Sequence, residues 1–345
     1  MKFKKYSSME NAYREKEVEK IITNDFATND IEYVVTEKIH GCNFSFLSDG
    51  NDVKVAKRTS ILNEDELSKF YDADIMLEKY GDKIKELAKY ITDIYEASEI
   101  QVFGEHFGGI YNNETEKGYI KIQKEVQYIP FTDFMVFDIL VKRPDGYPEK
   151  FSKKEIFMHW DKVKTLCNKF GLKVVPELFR GTFEECLNYS NEFITKIPEI
   201  YGLEPIEGNI CEGIVIKPLQ ELRFNNGERV IIKSKNDKFK EKGKVKKIKN
   251  KAVQTLNNDE RKWVDEITKY FEENRINAVL SKGDAKLNWK QFGKLAGLFF
   301  KDALDDFIKD NPNFNELDKG TKKLIQKYAQ VEAQNFVREF MKKYI

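Results

Sequence analysis

Histidine and cysteine are scarce: three and four in 345 residues. Cys42, Cys167, Cys186 and Cys211 are far apart and form no Cys-x-x-Cys pair, which argues against both a structural zinc site and a disulfide framework. No continuous apolar run approaches the roughly 18 to 20 residues that span a bilayer. The opening stretch, MKFKKYSSMENAYREKEVEK, has no apolar signal core. A cytoplasmic protein that makes no use of a membrane is therefore expected. An excess of one charge is missing too: 59 Lys and Arg against 58 Asp and Glu leave +1, so any polyanion-binding surface must be local. Neither GxxxxGK(S/T) nor GxGxxG occurs in a strand-to-helix context, which sets aside a P-loop enzyme.

What is present points to a mixed chain. At 41% apolar residues it can bury one large core or two unequal ones, so a domain with an appendage is the natural expectation. Apolar runs bounded by turn residues recur at 31–35, 52–56, 100–103, 134–141, 213–216 and 229–232, and read as strands. Two covering helices are expected, at 64–97 and at 153–170, the second with Ile156, Trp160, Val163 and Leu166 on one face. From about residue 238 lysines crowd the chain, from Lys238 to Lys251, with little apolar content. Helical spacing follows: Asn257 and Glu260 form an N-cap pair ahead of Trp263, Ile267, Tyr270 and Phe271. Further faces come from Phe292, Leu295 and Phe299, from Leu304, Phe307 and Ile308, and from Leu324, Tyr328 and Val331. The reading is α+β: a domain of mixed, mainly antiparallel sheets over residues 1–240, a basic linker at 241–256, and a small all-helical domain at 257–345.

Three segments could carry chemistry. In Tyr33 to Phe44 a strand delivers Lys38 to a turn containing His40 and Gly41. A neutral lysine amine there would be a nucleophile, although a lysine at a strand end is by itself commonplace. In Glu212-Gly213-Ile214-Val215-Ile216-Lys217-Pro218 a carboxylate precedes an apolar strand; it is either a solvated strand end or one of the one or two carboxylates by which magnesium is held beside phosphate oxygens. Lys233 and Lys235 lie two apart, on one face of a strand, where they suit a triphosphate or simply charge a sheet edge.

The set and its order decide more than any member. Glu37 to Gly41, Ala56 to Ser60, Val102 to Glu105, Phe134 to Ile139, Glu212 to Pro218 and Ile232 to Asn236 resemble the ordered motifs of the covalent lysine nucleotidyltransferases. Within that superfamily the chain is most similar to the RNA ligase 2 family, the phage-type double-strand RNA ligases and the related RNA-editing ligases, beginning at Phe3-Lys4-Lys5-Tyr6-Ser7-Ser8. The resemblance implies an ATP-grasp-like catalytic domain and a role for each matched residue. Lys38 would form lysyl-AMP, and Glu212 would bind magnesium or manganese. Lys233 and Lys235 would contact ATP phosphates, with Arg58 and Asn43 assisting at phosphate or ribose. Glu105 would accept from a ribose hydroxyl, Phe137 would stack on adenine, and Glu37 and Ile39 would help line the nucleotide site. His40 would serve transfer of AMP to RNA, while Asp138 is matched without a firm role. Members commonly carry a small hydroxyl residue where this chain has Cys42, a near-isosteric change that would add oxidant sensitivity if the thiol were accessible.

The activity so implied is ATP-dependent joining of RNA ends, with nicked duplex RNA as partner and a monomeric enzyme. The run Lys238 to Lys251 could lead phosphates toward the site or be a solvated linker. DNA ligases and capping enzymes share the lysine chemistry but usually carry a β-barrel after the last motif, where this chain reads as helices. A silent nucleotide-binding module would have no need of Lys38.

Overall fold

Two five-stranded sheets form, and five of the six expected runs lie in them, whereas the run at 229–232 contributes only Ile232, because the paired strand begins there and continues to Lys235. The computed structural model describes residues 1–144, 146, 154–239, 256–281 and 285–344. The first sheet has the order β1 (Glu10–Asn11), β10 (Ile232–Lys235), β9 (Gly213–Pro218), β2 (Tyr33–Lys38), β8 (Glu177–Gly181). The second runs β4 (Val53–Lys57), β3 (Cys42–Ser48), β5 (Glu99–Gly108), β6 (Thr132–Lys142), β7 (Glu155–Phe157). Every neighbouring pair is antiparallel except β1 with β10. The short turn 39–41 carries the chain from β2 in one sheet directly to β3 in the other.

Helices α2 (Glu64–Leu67) and α3 (Ala73–Tyr95) replace the single helix expected at 64–97, because Tyr71 and Asp72 take left-handed backbone angles between them. On α3, Ala73, Met76, Tyr80, Ile84, Leu87 and Ile91 recur at three- and four-residue spacing and are buried, the stripe a sheet-covering helix requires. Phe46 and Phe134 meet edge to face at 5.1 Å beneath Tyr80. The second expected helix is also shorter. Glu155–Phe157 pairs with β6, so Ile156 belongs to a strand, and α4 (Trp160–Lys169) starts where His159 accepts from the Asp161 amide. Short helices α5 (Phe183–Leu187) and α6 (Ile197–Ile200) complete this part.

The described chain divides into two compact units, Met1–Arg14 with Asn29–Lys247, and Glu15–Thr28 with Ile248–Ile345. The second comprises α1 (Glu15–Thr23), α7 (Asn258–Thr268), α8 (Glu273–Ser281), α9 (Phe292–Asp310) and α10 (Lys319–Tyr344). Asn257 and Glu260 form the capping box of α7, and the two apolar faces read at 292–299 and 304–308 are one continuous helix, α9. Phe299 and Phe336 stack at 5.5 Å, and Trp263 packs edge-on to Phe314 at 5.4 Å. The sequence reading kept residues 15–28 with the sheets. They join the helices because α1 buries Ile21 and Ile22 and is tied in by Glu19 to Lys327 at 2.5 Å and Asp25 to Arg261 at 2.9 Å. No helix among the described residues is long and apolar enough to cross a membrane.

Phe134 sits at the centre of the aromatic cluster under α3, so Phe134→Ala should destabilise the sheet unit by about 3 to 5 kcal/mol. Urea denaturation measures this, and near-wild-type stability would remove the cluster from the core.

Candidate active site

Register brings the chemistry-bearing residues together. Lys38 lies opposite Gly213 on β9, and Gly213 lies opposite Lys235 on β10. Residues two apart share a strand face, so Lys38 and Thr36, Val215 and Lys217, and Lys233 and Lys235 line one side of the sheet. Gly213 has φ +147, and a Cβ there would lie 2.1 Å from the Ser234 carbonyl oxygen. Only glycine fits, and the chain can therefore place Glu212 between the two lysine-bearing strands.

Glu212 is the hub. Its buried carboxylate lies 2.5 Å from Lys38 Nζ, 3.2 Å from Lys235 Nζ and 3.5 Å from His40 Nδ1. Burial opposes its charge, but the His40 hydrogen bond and the Lys38 and Lys235 cations prevail and hold the carboxyl down at about 2. His40 is fixed from three sides: Tyr128 Oη accepts from its amide at 2.8 Å, Glu125 lies 3.1 Å from Nε2, and Glu212 faces Nδ1. Burial lowers its pKa, yet the two carboxylates raise it above the usual value.

The second sheet supplies the other wall of a cleft lined by Tyr6, Lys38, Ile39, Glu105, Phe137 and Lys217. On β5 and β6, Phe103 pairs with Asp138 and Gly104 with Val136, so Phe137 is an extra residue in a bulge and turns out of the ladder toward the cleft. Glu105 lies across from Asn43 and accepts from the Gly41 amide at 3.2 Å. Burial lifts its carboxyl to about 7, against the pull of Lys38 and with a push from Glu212. Arg58 is exposed in the turn after β4, following Lys57, the partner of Phe44. Glu37 contributes to the cleft, but its carboxylate is engaged by the Thr195 hydroxyl and the Lys196 amide, and burial raises it to about 7.

Among the cleft residues not singled out from the sequence, Lys217 and Tyr6 carry polar groups that tie the walls together. Lys217 is buried and donates to the Phe137 carbonyl at 2.6 Å and to Asp138 Oδ1 at 2.8 Å. Tyr6 reaches from the N-terminal segment to donate to Asp138, which also accepts from Arg229 at 3.0 Å. The two-residue step from Val215 to Lys217 was the available signal for the first; the second depends on a contact 132 residues away in sequence. Burial and neighbouring Glu105 push the Cys42 thiol well up, so the oxidant sensitivity considered for an accessible thiol does not follow. Of the basic run, Lys238 donates to the Glu125 carbonyl at 3.2 Å, while 240–251 lie outside the described residues.

Among the described residues no group of three or more His, Cys, Asp and Glu could cage a metal. Glu212 is nevertheless ionised and ringed by cations, and a single carboxylate completed by phosphate oxygens is an arrangement magnesium accepts. An aromatic wall, convergent lysines and a buried carboxylate make a site suited to a nucleotide.

The chain belongs to the RNA ligase family, whose pattern matches residues 31–235, and residues 252–335 match the T4 RNA ligase 2 C-terminal family. It is 27% identical over 337 residues to the mitochondrial RNA-editing ligase 1 of Trypanosoma brucei brucei, covering 81% of this chain and 70% of that one. It is 26% identical over 364 residues to RNA-editing ligase 2 of the same organism, covering 89% and 84%. A mutant Naegleria gruberi RNA ligase solved with ATP and Mn aligns at TM-score 0.42 and 14% identity, over 68% of this chain and 57% of that one. The chain thus spans little more than half the length of that structure.

Glu37 and Glu105 rise toward 7 from an ordinary 4.5. Their neutral forms therefore favour the fold below the unfolded value, and that stability is lost as pH climbs through 7. Glu37→Gln should flatten the fall in unfolding free energy between about pH 5 and pH 8 by at least about 1 kcal/mol. Parallel pH profiles for wild type and variant in chemical denaturation would contradict the assignment.

Proposed function

We propose that this chain is an ATP-dependent RNA ligase that joins a 3′-hydroxyl to a 5′-phosphate at nicks in duplex RNA or RNA-containing duplexes, in RNA repair. The observation that carries the reading is the Lys38–Glu212–Lys235 cluster at a cleft walled by Phe137, in a member of the RNA ligase family.

In the free protein Lys38 donates to Glu212, and an ammonium has no lone pair with which to attack phosphorus. Attack therefore begins when the amine sheds its proton and leaves the carboxylate. Adenine stacks on Phe137, a contact worth about 1 to 3 kcal/mol, and Glu105 accepts from a ribose hydroxyl. Lys233 and Lys235 neutralise phosphoryl oxygens as charge develops. The Lys38 nitrogen then bonds to the α-phosphorus as the bond to pyrophosphate breaks. An oxygen of the RNA 5′-phosphate next attacks that phosphorus and releases Lys38, with His40 serving this transfer from its place beside Glu212. Finally the RNA 3′-hydroxyl attacks the activated 5′-phosphate and AMP departs. Magnesium or manganese held by Glu212 would supply Lewis-acid charge at the phosphates.

We assign catalysis to the sheet-bearing part of residues 1–240, with 15–28 placed instead with the helices, a basic linker to 241–256, and engagement of nicked duplex to the helices of 257–345, in a monomer. The four cysteines are free thiols, three of them buried, which supports a reducing compartment such as the cytoplasm. Truncation at residue 250 is a poor probe of the helical domain, because it also strips cover from Ile21 and Ile22 of α1.

Incubation with α-labelled ATP and magnesium, followed by a denaturing gel, should leave label on wild type and none on Lys38→Ala. Glu212→Ala and Lys235→Ala should cut labelling by about a hundredfold or more. Undiminished labelling of Lys38→Ala, or none of folded wild type with either magnesium or manganese, would sink the mechanism.

A further inference from the structure

We propose that Lys79, Lys83, Lys169 and Lys173 form a second contact surface, outside the nucleotide cleft, for backbone phosphates of the RNA arm flanking the break. The inference rests on the ligase reading above. Lys79 and Lys83 come from α3; Lys169 ends α4, and Lys173 lies just beyond it. Two ammonium groups from separate segments meet at one buried carboxylate: Lys79 Nζ is 2.9 Å from Asp133 Oδ1 and Lys173 Nζ 3.9 Å from Oδ2. Lys83 Nζ donates to the Gly171 carbonyl at 3.2 Å, joining α3 to the segment that carries Lys169 and Lys173.

Asp133 does not need all this charge. It already accepts from the Tyr80 hydroxyl, from Tyr201 at 2.6 Å and from the Phe134 amide at 2.9 Å. Two cations on a carboxylate that already has three hydrogen-bond donors leave positive charge to spare, and the exposed Lys83 and Lys169 on α3 and α4 add to it, in a chain whose net charge is only +1. Asp82, the neighbouring acid on α3, pairs instead with Lys85. The ammonium heads sit near aromatic rings: Lys79 and Lys83 over Tyr80 at 5.3 and 5.6 Å, Lys169 over Tyr90 at 3.6 Å, Lys173 over Tyr201 at 4.8 Å. Such cation–π contacts restrict the heads and lower the entropy lost when they meet a ligand. Lys79 and Lys173 are each 41% exposed.

Position selects the ligand. Asp133 shares a face of β6 with Met135, the partner of Glu105 in the cleft wall, and two strand residues span roughly 7 Å. In the proposed arrangement the arm of a polyanion seated in the cleft runs over these lysines, two of which meet Asp133 within a few residues of the cleft wall along β6. Restrained, spaced ammonium groups read phosphate without reading sequence, as an enzyme sealing unrelated RNA ends requires.

The test uses the full chain with Lys83→Ala, Lys169→Ala and Lys173→Ala combined, leaving Lys79 on Asp133, and a matching triple-arginine variant. Binding of a labelled nicked RNA duplex is measured across a salt series, and self-adenylylation with labelled ATP is measured alongside. The alanine variant should bind about tenfold more weakly at low salt, with the slope of log Kd against log salt reduced by about three. Its adenylylation should stay within about twofold of wild type, and the arginine variant should bind like wild type. An unchanged affinity and slope, or an arginine variant as weak as the alanine one, would overturn the proposal and leave the patch to an acidic protein. Absence of adenylylation in wild type would instead strike the ligase reading, which the salt slope does not measure.

Discussion

A buried carboxylate surrounded by cations fixes the geometry of the sheet unit around its cleft. Removing Glu212 from water is costly, and the cost is offset only while Lys38, His40 and Lys235 converge on it. Those three come from β2, from the turn after it and from β10, so the electrostatic requirement also sets strand register. A slip of β2 by one residue would turn Lys38 to the opposite face, and a slip of β10 would do the same to Lys235. Gly213 adds a steric condition, since the approach of β9 to the Ser234 carbonyl leaves no room for a side chain.

A second buried carboxylate, Asp138, plays the matching part where the sheets face each other. It gathers Tyr6 from the N-terminal segment, Lys217 from β9 and Arg229 from the approach to β10, so one side chain of β6 ties the second sheet to the first. Lys217 bonds at once to Asp138 and to the carbonyl of Phe137. The bulge that aims the Phe137 ring is thereby held by the same network. The two hubs differ in consequence. Glu212 binds the lysine that the proposed mechanism sets free, whereas Asp138 holds a wall in place.

Much of this was legible beforehand, and the misses have physical causes. The strands at 134–141 and 213–216 were visible because both faces are buried and the runs are apolar, broken in the first only by Asp138. β3 went unseen because Cys42, Asn43, Ser45 and Ser48 dilute its apolar signal; pairing with β4 and β5 supplies what its composition does not. The helix expected from 153 lost its start to β7, because pairing with Leu140 to Lys142 outweighed local spacing. α1 was assigned to the wrong partner because a short amphipathic helix does not encode which core will cover it.

The sequence by itself picked out Lys38, Glu212, Lys233 and Lys235 as candidates for the chemistry, because they stand in ordered segments whose spacing is a property of the chain. It also determined the α+β class and the helical character of residues 257–345, since both follow from periodicity. Only the tertiary structure decided that Lys38 rests against Glu212, that a bulge turns Phe137 into the cleft, that Tyr6 and Lys217 complete its walls, and that the distant Lys79 and Lys173 share one carboxylate. Each of these depends on register or on contacts between segments far apart in the chain, and neither is encoded within any one segment.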